Sequence, residues 1–280
     1  MNTTAQRAER LVELHREGCF VIPNPWDRGS AVLLAGLGFK ALASSSAGQA
    51  FSLGLPDGEL GRERTFEHLR DLVGATDLPL SADLENGFGD DPSSCADTIR
   101  AVAAIGVVGG SIEDATGRPD DPIYGFDDAV ARVRAAVQAA RSLPFPFTLT
   151  ARAENLLWGR NDLDDTVRRL QAYAEVGADV LYAPGLKTAE EVERVVRAVA
   201  PRPVNVLMGL AAGALDRDTL QRLGVRRISV GSSLARTAYQ AMMDAAREIA
   251  GPGQFSYAAR VPGLATFNQL FRSSDRPSKA

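Results

Sequence analysis

A short apolar run, a polar or glycine-rich end and an amphipathic helix follow one another eight times along the 280-residue chain. The apolar runs span 19–27, 40–48, 78–87, 106–117, 147–155, 178–185, 203–209 and 226–233. Strands that alternate with helices predict a parallel sheet, and strands buried on both faces are apolar throughout. Eight units in about 230 residues favour a closed (β/α)8 TIM barrel. An open doubly wound sheet is the alternative, although the usual dinucleotide-binding glycine motif is absent.

Local signals support the helices between these runs. Asp91 is a plausible N-cap, Pro92 occupies the first helical position, and Gly106 ends the same helix. Thr188 is followed three residues later by Glu191, which is the spacing of a capping box.

The chain is predicted to be one domain covering 1–280. The barrel would occupy about 19–250, and about 251–280 would form a helical extension. This extension is apolar enough to pack on something, and we expect an extra helix there that packs against a neighbouring subunit.

The charge balance excludes some partners. The net charge of −4 and a pI near 5.4 argue against a nucleic-acid or anionic-membrane surface. The first 18 residues predict a charged amphipathic helix with no apolar signal core. The longest apolar runs are too short to span a bilayer. We therefore expect a soluble, cytoplasmic protein.

Barrel enzymes carry their catalytic residues at the carboxyl ends of the strands. Six of the eight runs end on polar side chains: Asn24, Trp26 and Asp27; Ser44, Ser45 and Ser46; Asp83 and Glu85; Glu113 and Asp114; Arg152 and Glu154; and Asn205. The sixth and eighth runs offer little, with Tyr182 beside Pro184 and Ser229 beside Ser232.

Three acids at neighbouring strand ends suggest a metal site. Asp83 and Glu85 are two residues apart, so on a strand they would share a face. Glu113 follows the next strand. Carboxylates without a nearby Lys or His suggest a hard cation, Mg²⁺, with Mn²⁺ as a substitute. The alternative is that such acids only cap helices or lie in solvated loops.

Arg152 and the serine run are candidate substrate-binding groups. Arg152 could grip a substrate carboxylate through its bidentate fork. Ser44, Ser45 and Ser46 offer hydroxyls and backbone N–H groups to a carboxylate or an oxyanion, and Asn205 is a further candidate. Alternatively, Arg152 only pairs with a neighbouring acid, and the serines only form a turn.

The ordered motifs of residues 20–235 resemble those of the isocitrate lyase/phosphoenolpyruvate mutase superfamily. The matching segments are NPWDRGSAVLLAGLGFKALASSSAGQAFSLGLPDG, SADLENGFGDDP, GSIEDATG and TARAEN. The resemblance implies a (β/α)8 barrel, a C-terminal helix swapped between paired subunits, and a homo-oligomer built as a dimer of dimers. It also implies bound Mg²⁺ and a small 2-oxo or 2-hydroxy acid substrate, whose C–C or P–C bond reacts next to an enolate-like intermediate.

The resemblance also implies roles for individual residues. Asp83 matches the direct metal ligand, and Glu85 stands where the family usually has a second Asp. Glu113 matches the acid that acts on the metal through water. Ser44 and Ser45 match the loop that binds the substrate carboxylate, Asp57 matches an acid near the reacting centre, and Arg152 matches the arginine that clamps the substrate.

The segment after the fourth strand departs from the family pattern. Isocitrate and methylisocitrate lyases have a lid there whose Cys is the catalytic acid, whereas residues 114–126 contain no Cys, Lys or His. This argues against those two lyases. Phosphonate-processing relatives use Lys and Asn in the lid, and only Arg118 could substitute here. Pro184 and Gly185 stand where the sixth strand usually supplies an acid.

The sequence therefore predicts a Mg²⁺-dependent lyase that cleaves a C–C bond in a small carboxylic acid, by decarboxylation or retro-aldol cleavage, through an enolate. Tyr124 or a metal-bound water would protonate the enolate. A P–C bond mutase or hydrolase is one alternative, and a barrel that binds a metabolite without turnover is another.

Overall fold

All eight predicted strands are present in the computed structural model, which describes residues 2–209 and 215–274. The strands are β1 (Phe20–Ile22), β2 (Leu42–Ala43), β3 (Leu80–Asp83), β4 (Gly109–Glu113), β5 (Thr148–Arg152), β6 (Val180–Tyr182), β7 (Val204–Leu207) and β8 (Arg227–Ser229). They form one parallel sheet in the order β1-β8-β7-β6-β5-β4-β3-β2.

The sheet closes almost completely on itself. The Ala43 amide donates to the Pro23 carbonyl at 3.0 Å, so β2 meets the end of β1. The Asn24 side-chain amide donates to the Ser44 carbonyl, also at 3.0 Å. The (β/α)8 barrel is thereby confirmed in preference to the open doubly wound sheet, because β1 pairs with β8 at one edge and contacts β2 at the other.

One helix precedes the first strand, and helices follow each of the strands. They are α1 (Thr4–Leu14), α2 (Arg28–Gly36), α3 (Ser46–Ser52), α4 (Gly61–Val73), α5 (Pro92–Ile105), α6 (Phe126–Arg141), α7 (Leu163–Glu175), α8 (Ala189–Val199), α9 (Arg217–Arg222), α10 (Ser233–Ala250) and α11 (Leu264–Ser274), with a 3-10 helix at Ser256–Arg260. None of the described helices is both long enough and apolar enough to cross a bilayer.

The predicted helix ends are confirmed where they can be compared. The Asp91 side chain accepts the Ser93 amide, Pro92 opens α5, and Gly106 ends it with φ = 101°. At the start of α8, the Thr188 hydroxyl accepts the Glu191 amide at 3.2 Å, while the Glu191 carboxylate accepts the Thr188 amide. Each such cap is worth about 1 kcal/mol.

The core has two parts. The larger part lies between the sheet and the helices, and includes Leu69, Ile99 and Leu149. In the smaller part, Leu11 of α1 packs with Ile22 and Val108, which places α1 against the amino-terminal end of the barrel. Polar residues collect at the opposite, carboxyl-terminal end of the barrel.

The predicted C-terminal helix is present as α11, which lies against α2 of its own chain. The exchange of this helix between subunits, the dimer of dimers and the division at about residue 250 stay predictions. The last part of the predicted extension, 275–280, lies outside the described residues.

Candidate active site

A cavity of about 240 Å³ opens among the carboxyl ends of the strands, and we call it the mouth cavity. Its lining includes most of the predicted site residues: Ser44, Ser45, Ser46, Asp57, Asp83, Arg152 and Asn205. Glu85, Glu113 and Tyr124 are not among its described lining residues. The structure therefore brings together the predicted substrate-binding groups, with two of the acids and the tyrosine set back from them.

The serine run holds Asp83 in place. Ser45 is the N-cap of α3, and its hydroxyl accepts the Gly48 amide at 3.1 Å. Both the amide and the hydroxyl of Ser46 donate to Asp83 Oδ2, at 3.2 and 2.8 Å. The Asp83 amide in turn donates to the Ser44 hydroxyl at 2.8 Å. The run is thus a helix start whose donors already serve an acid of the site.

Arg152 lies at the centre of the acidic residues. Its Nη1 is 3.0 Å from Asp83 Oδ1, and its Nη2 is 3.2 Å from Glu113 Oε2. Nη2 also contacts Glu154 Oε1 at 2.8 Å, and the Tyr182 ring lies 5.0 Å from the guanidinium. Arg152 therefore does form ion pairs with neighbouring acids, which was the alternative to a substrate-binding role. Its charge in this structure is balanced by protein carboxylates.

Glu85 lies near Asp83 for a reason other than the predicted one. The strand β3 ends at Asp83, and Glu85 has a left-handed backbone with φ = 48°. The prediction that Asp83 and Glu85 share a strand face is therefore wrong, because Glu85 lies outside the strand. The carboxyl group is nevertheless close to other acids: burial, followed by the charges of Asp83 and Asp57, raises its pKa from 4.5 to about 7.

Glu113 sits at the end of β4, directly opposite Arg152 in the register with β5. Burial raises the pKa of Glu113 well above its ordinary value, and the charges of Glu154, Asp83 and Glu85 raise it further, while Arg152 opposes them. Burial and the charge of Asp83 likewise raise the pKa of Asp57. One guanidinium thus does not satisfy all of the surrounding carboxyl groups.

The acids match Mg²⁺ in donor chemistry and in charge. All of the donors are carboxylate oxygens, and Glu85 Oε1 is buried without a hydrogen-bond partner. A cation would also relieve the repulsion that raises the pKa of Glu85. Within the described residues, however, no three acidic, His or Cys side chains form a ready set of ligands. Arg152 instead contacts both Asp83 and Glu113.

The predicted lid is a small closed loop. Ala115 and Ile123 form an antiparallel bridge, and the Thr116 amide donates to the Pro122 carbonyl at 2.8 Å. Arg118 pairs with Asp90 at 2.8 Å, so this cation is held at the protein surface. Arg118, the cation of the lid, therefore does not place its charge in the mouth cavity.

Tyr124 is engaged beneath this loop. Its hydroxyl donates to Asp90 Oδ1, and the Arg132 guanidinium lies 4.1 Å from its ring. Burial, followed by the hydrogen bond to Asp90, raises the pKa of the Tyr124 hydroxyl. Asp90 thus binds both Tyr124 and Arg118, while the neighbouring Asp91 provides the cap of α5.

Asp114 has a structural role that the sequence did not reveal. Its carboxylate accepts the Glu154 amide at 2.7 Å, Arg169 Nη1 at 3.0 Å and the Tyr173 hydroxyl at 2.7 Å. This buried network ties β4 to β5 and α7, and so fixes the strand ends that carry Glu113 and Arg152. The sequence signal that could have indicated this role is the position of Asp114 directly after Glu113 in the segment GSIEDATG.

The sixth and eighth strands, whose runs offer few polar residues in the sequence, also contribute to the mouth cavity. Tyr182 of β6 and Arg227 of β8 both line it. Arg227 donates to Asn205 Oδ1 through Nε and to Thr150 Oγ1 through Nη2, each at 2.9 Å. The Asn205 amide also donates to the Ser229 hydroxyl at 2.9 Å. Asn205 therefore lies in the cavity wall, and its amide already has protein partners.

Comparison with known proteins agrees with this geometry. The family model described as phosphoenolpyruvate phosphomutase matches residues 11–250. A solved structure from Burkholderia cenocepacia, provisionally assigned as a lyase or mutase, is 56% identical with a TM-score of 0.94 and covers 96% of each chain. Oxaloacetate decarboxylase of Paraburkholderia xenovorans is 28% identical, covering 99% of this chain and 92% of the relative. The structure of 2,3-dimethylmalate lyase is 26% identical with a TM-score of 0.84, covering 97% and 94% of the two chains.

Proposed function

Because the chain belongs to the phosphoenolpyruvate phosphomutase family, within the isocitrate lyase/phosphoenolpyruvate mutase superfamily, we propose that it is a Mg²⁺-dependent lyase. It would cleave a C–C bond in a small 2-oxo or 2-hydroxy carboxylic acid. The main supporting observation is that Asp83, Arg152 and the Ser44–Ser46 run surround one cavity of about 240 Å³. Relatives include a protein named oxaloacetate decarboxylase and one named 2,3-dimethylmalate lyase.

Asp83 and Glu85 would hold the metal, and Glu113 would act on it through water. A bound Mg²⁺ supplies positive charge that stabilises an oxyanion as it develops on the substrate. The donor set supports this role because it consists of carboxyl oxygens, and because the raised pKa values of Glu85 and Glu113 indicate that Arg152 alone does not stabilise their ionised forms.

The chain's own residues would orient the acid and exclude water. The cavity is lined by Arg152, the Ser44–Ser46 run, Asn205 and Ser229, and their N–H and O–H groups would orient the acid. The loop at 114–126 would close over the site. Its Arg118 is held by Asp90, so the structure lends less support to a lid cation that grips a phosphonyl group.

The test is a substrate panel containing Mg²⁺ and oxaloacetate, alkylmalates, isocitrate or phosphonopyruvate, followed by proton and phosphorus NMR. We expect C–C cleavage of at least one oxo or hydroxy diacid. Phosphorus transfer from phosphonopyruvate alone would favour the P–C alternative. Metal binding without any turnover would favour a metabolite-binding barrel, and rapid cleavage of isocitrate would contradict our interpretation of the lid.

A further inference from the structure

Arg227 is a buried cation in the wall of the mouth cavity. Its side chain projects from β8, where Arg227 is in register with Phe20 of β1 and Asn205 of β7. Ser229, two residues further along the same strand, also lines the cavity. Arg227 therefore lies one layer deeper than Ser229, at the cavity floor, and only 5% of the residue is exposed.

No acidic side chain pairs with Arg227 among residues 2–209 and 215–274. Its hydrogen-bond partners are the neutral oxygens of Asn205 and Thr150, and its Nη1 is buried with no partner. Burial lowers the pKa of Arg227 to about 10, and the charge of Arg152 lowers it too. A buried cation without a counter-charge is unfavourable, so a compensating anion is expected when the site is filled.

The other arginines of the cavity differ in this respect. Arg152 is already in contact with Asp83, Glu113 and Glu154. Arg236 is exposed and donates to the Gly209 carbonyl at 3.2 Å. Among these three arginines of the described residues, Arg227 is therefore the one that is buried and has no carboxylate in contact.

We propose that Arg227 binds a carboxylate of the substrate at the cavity floor, and thereby selects small acids with two anionic groups. This inference deepens the proposed function, on which it rests: one end of the acid would be held by the Ser44–Ser46 run and Arg152, and the other by Arg227. A guanidinium with free N–H capacity is well suited to a carboxylate through charge-assisted hydrogen bonds.

The test measures binding without metal or turnover, so its failure is distinct from failure of the lyase proposal. Malonate and succinate, with acetate as the single-carboxylate comparison, are titrated calorimetrically into the EDTA-treated full chain at constant ionic strength. The wild type should bind at least one diacid more tightly than acetate. Arg227→Gln, which keeps neutral hydrogen-bonding groups, should bind that diacid at least about tenfold more weakly, while Arg227→Lys should bind it more tightly than the Gln variant.

The matched control is Arg132→Lys, because Arg132 is also buried but bonds to the Asn86 and Asp90 carbonyls outside the mouth cavity. Its diacid affinity should stay within about twofold of the wild type. Unchanged diacid binding by Arg227→Gln would overturn the proposal, and so would a wild type that binds no diacid better than acetate.

A crystal of the wild type soaked in malonate gives a second test, which needs no substituted protein. A carboxylate oxygen should lie within about 3.2 Å of the Arg227 guanidinium. Malonate held only by Arg152 and the Ser44–Ser46 run would contradict the assignment. If malonate binds to Arg227 but the wild type cleaves no C–C bond in the substrate panel, only the lyase proposal is refuted.

Discussion

Arg152 and Asp83 form a 3.0 Å ion pair between Nη1 and Oδ1, although they lie on β5 and β3 with β4 between them. The pair crosses the end of β4, whose Glu113 contacts the same guanidinium at 3.2 Å. The acids proposed to hold a metal and the arginine proposed to orient the substrate are thus one electrostatic unit. A change in one of them is expected to alter the others.

Replacing Arg152 with Lys should disrupt this unit while keeping the charge. Lys has a single nitrogen in place of the three that contact Asp83, Glu113 and Glu154. We expect kcat/KM for the best panel substrate to fall by about 100-fold or more, because a bidentate fork is lost. The exposed Arg141, which pairs with Asp179, provides the control Arg141→Lys. Equal rates for the two variants would count against a role for Arg152.

The raised pKa of Glu85 predicts how stability depends on pH in the metal-free protein. The folded chain keeps a proton on Glu85 up to about pH 7, whereas the unfolded chain releases it near 4.5. Since the folded state binds more protons in this window, the free energy of unfolding should fall as pH rises through it. Glu85→Gln should lose less stability than the wild type between these two values.

Thermal unfolding at a series of pH values checks this prediction. Glu67→Gln, at an exposed position of α4, is the control and should follow the wild type. If Glu85→Gln has the same pH dependence as the wild type, burial does not hold this proton in the folded chain.

Arg169→Met should destabilise the barrel by breaking the network around Asp114. Arg169 contacts Asp114 at 3.0 Å and Asp165 at 2.7 Å, and its removal leaves Asp114 buried with an uncompensated charge. We expect a loss of about 3 kcal/mol in urea unfolding. The neighbouring Arg168 also pairs with Asp165 but is exposed, so Arg168→Met should change stability by less than about 0.5 kcal/mol. Similar losses in the two variants would show that the buried network contributes no more stability than the exposed ion pair.

Tyr124→Phe tests whether Tyr124 supplies a proton. A general acid typically contributes about 100-fold or more to the rate. The Tyr124 hydroxyl donates to Asp90 and does not line the mouth cavity, so we expect the rate to fall by less than about tenfold. Asp90→Asn, which changes the other partner of this bond, should have a similarly small effect. A large loss in Tyr124→Phe alone would identify Tyr124 as the acid.

The strands and their order could be predicted because each is an apolar run with a helix after it. Strand β6 is buried along its whole length, Val180–Tyr182, as expected for a parallel sheet covered on both faces. The predicted runs were longer than the strands: the run 106–117 contains β4 at Gly109–Glu113 only. Strand ends and buried loops are both apolar, so composition alone does not show where a strand begins or ends.

The orientation of side chains at the strand ends was harder to predict. Arg226 and Arg227 begin the eighth predicted run together, and successive residues of a strand point to opposite faces. The sequence does not say which one points inward. In the structure Arg226 donates to the Gly18 carbonyl at 3.2 Å, while Arg227 reaches Asn205 and Thr150 inside the barrel. Asp114 posed the same difficulty, because its partners Arg169 and Tyr173 come from a distant helix.

The dependence of C–C cleavage on Mg²⁺ tests the central claim most directly. The rate on the best panel substrate would be followed after EDTA treatment and during Mg²⁺ readdition, for the wild type and for Asp83→Asn, with Asp97→Asn as an exposed control that removes the same charge. We predict that EDTA abolishes the rate and that Mg²⁺ restores it in the wild type and in Asp97→Asn, but not in Asp83→Asn. A full rate in EDTA, or full restoration in Asp83→Asn, would contradict the proposed metal site.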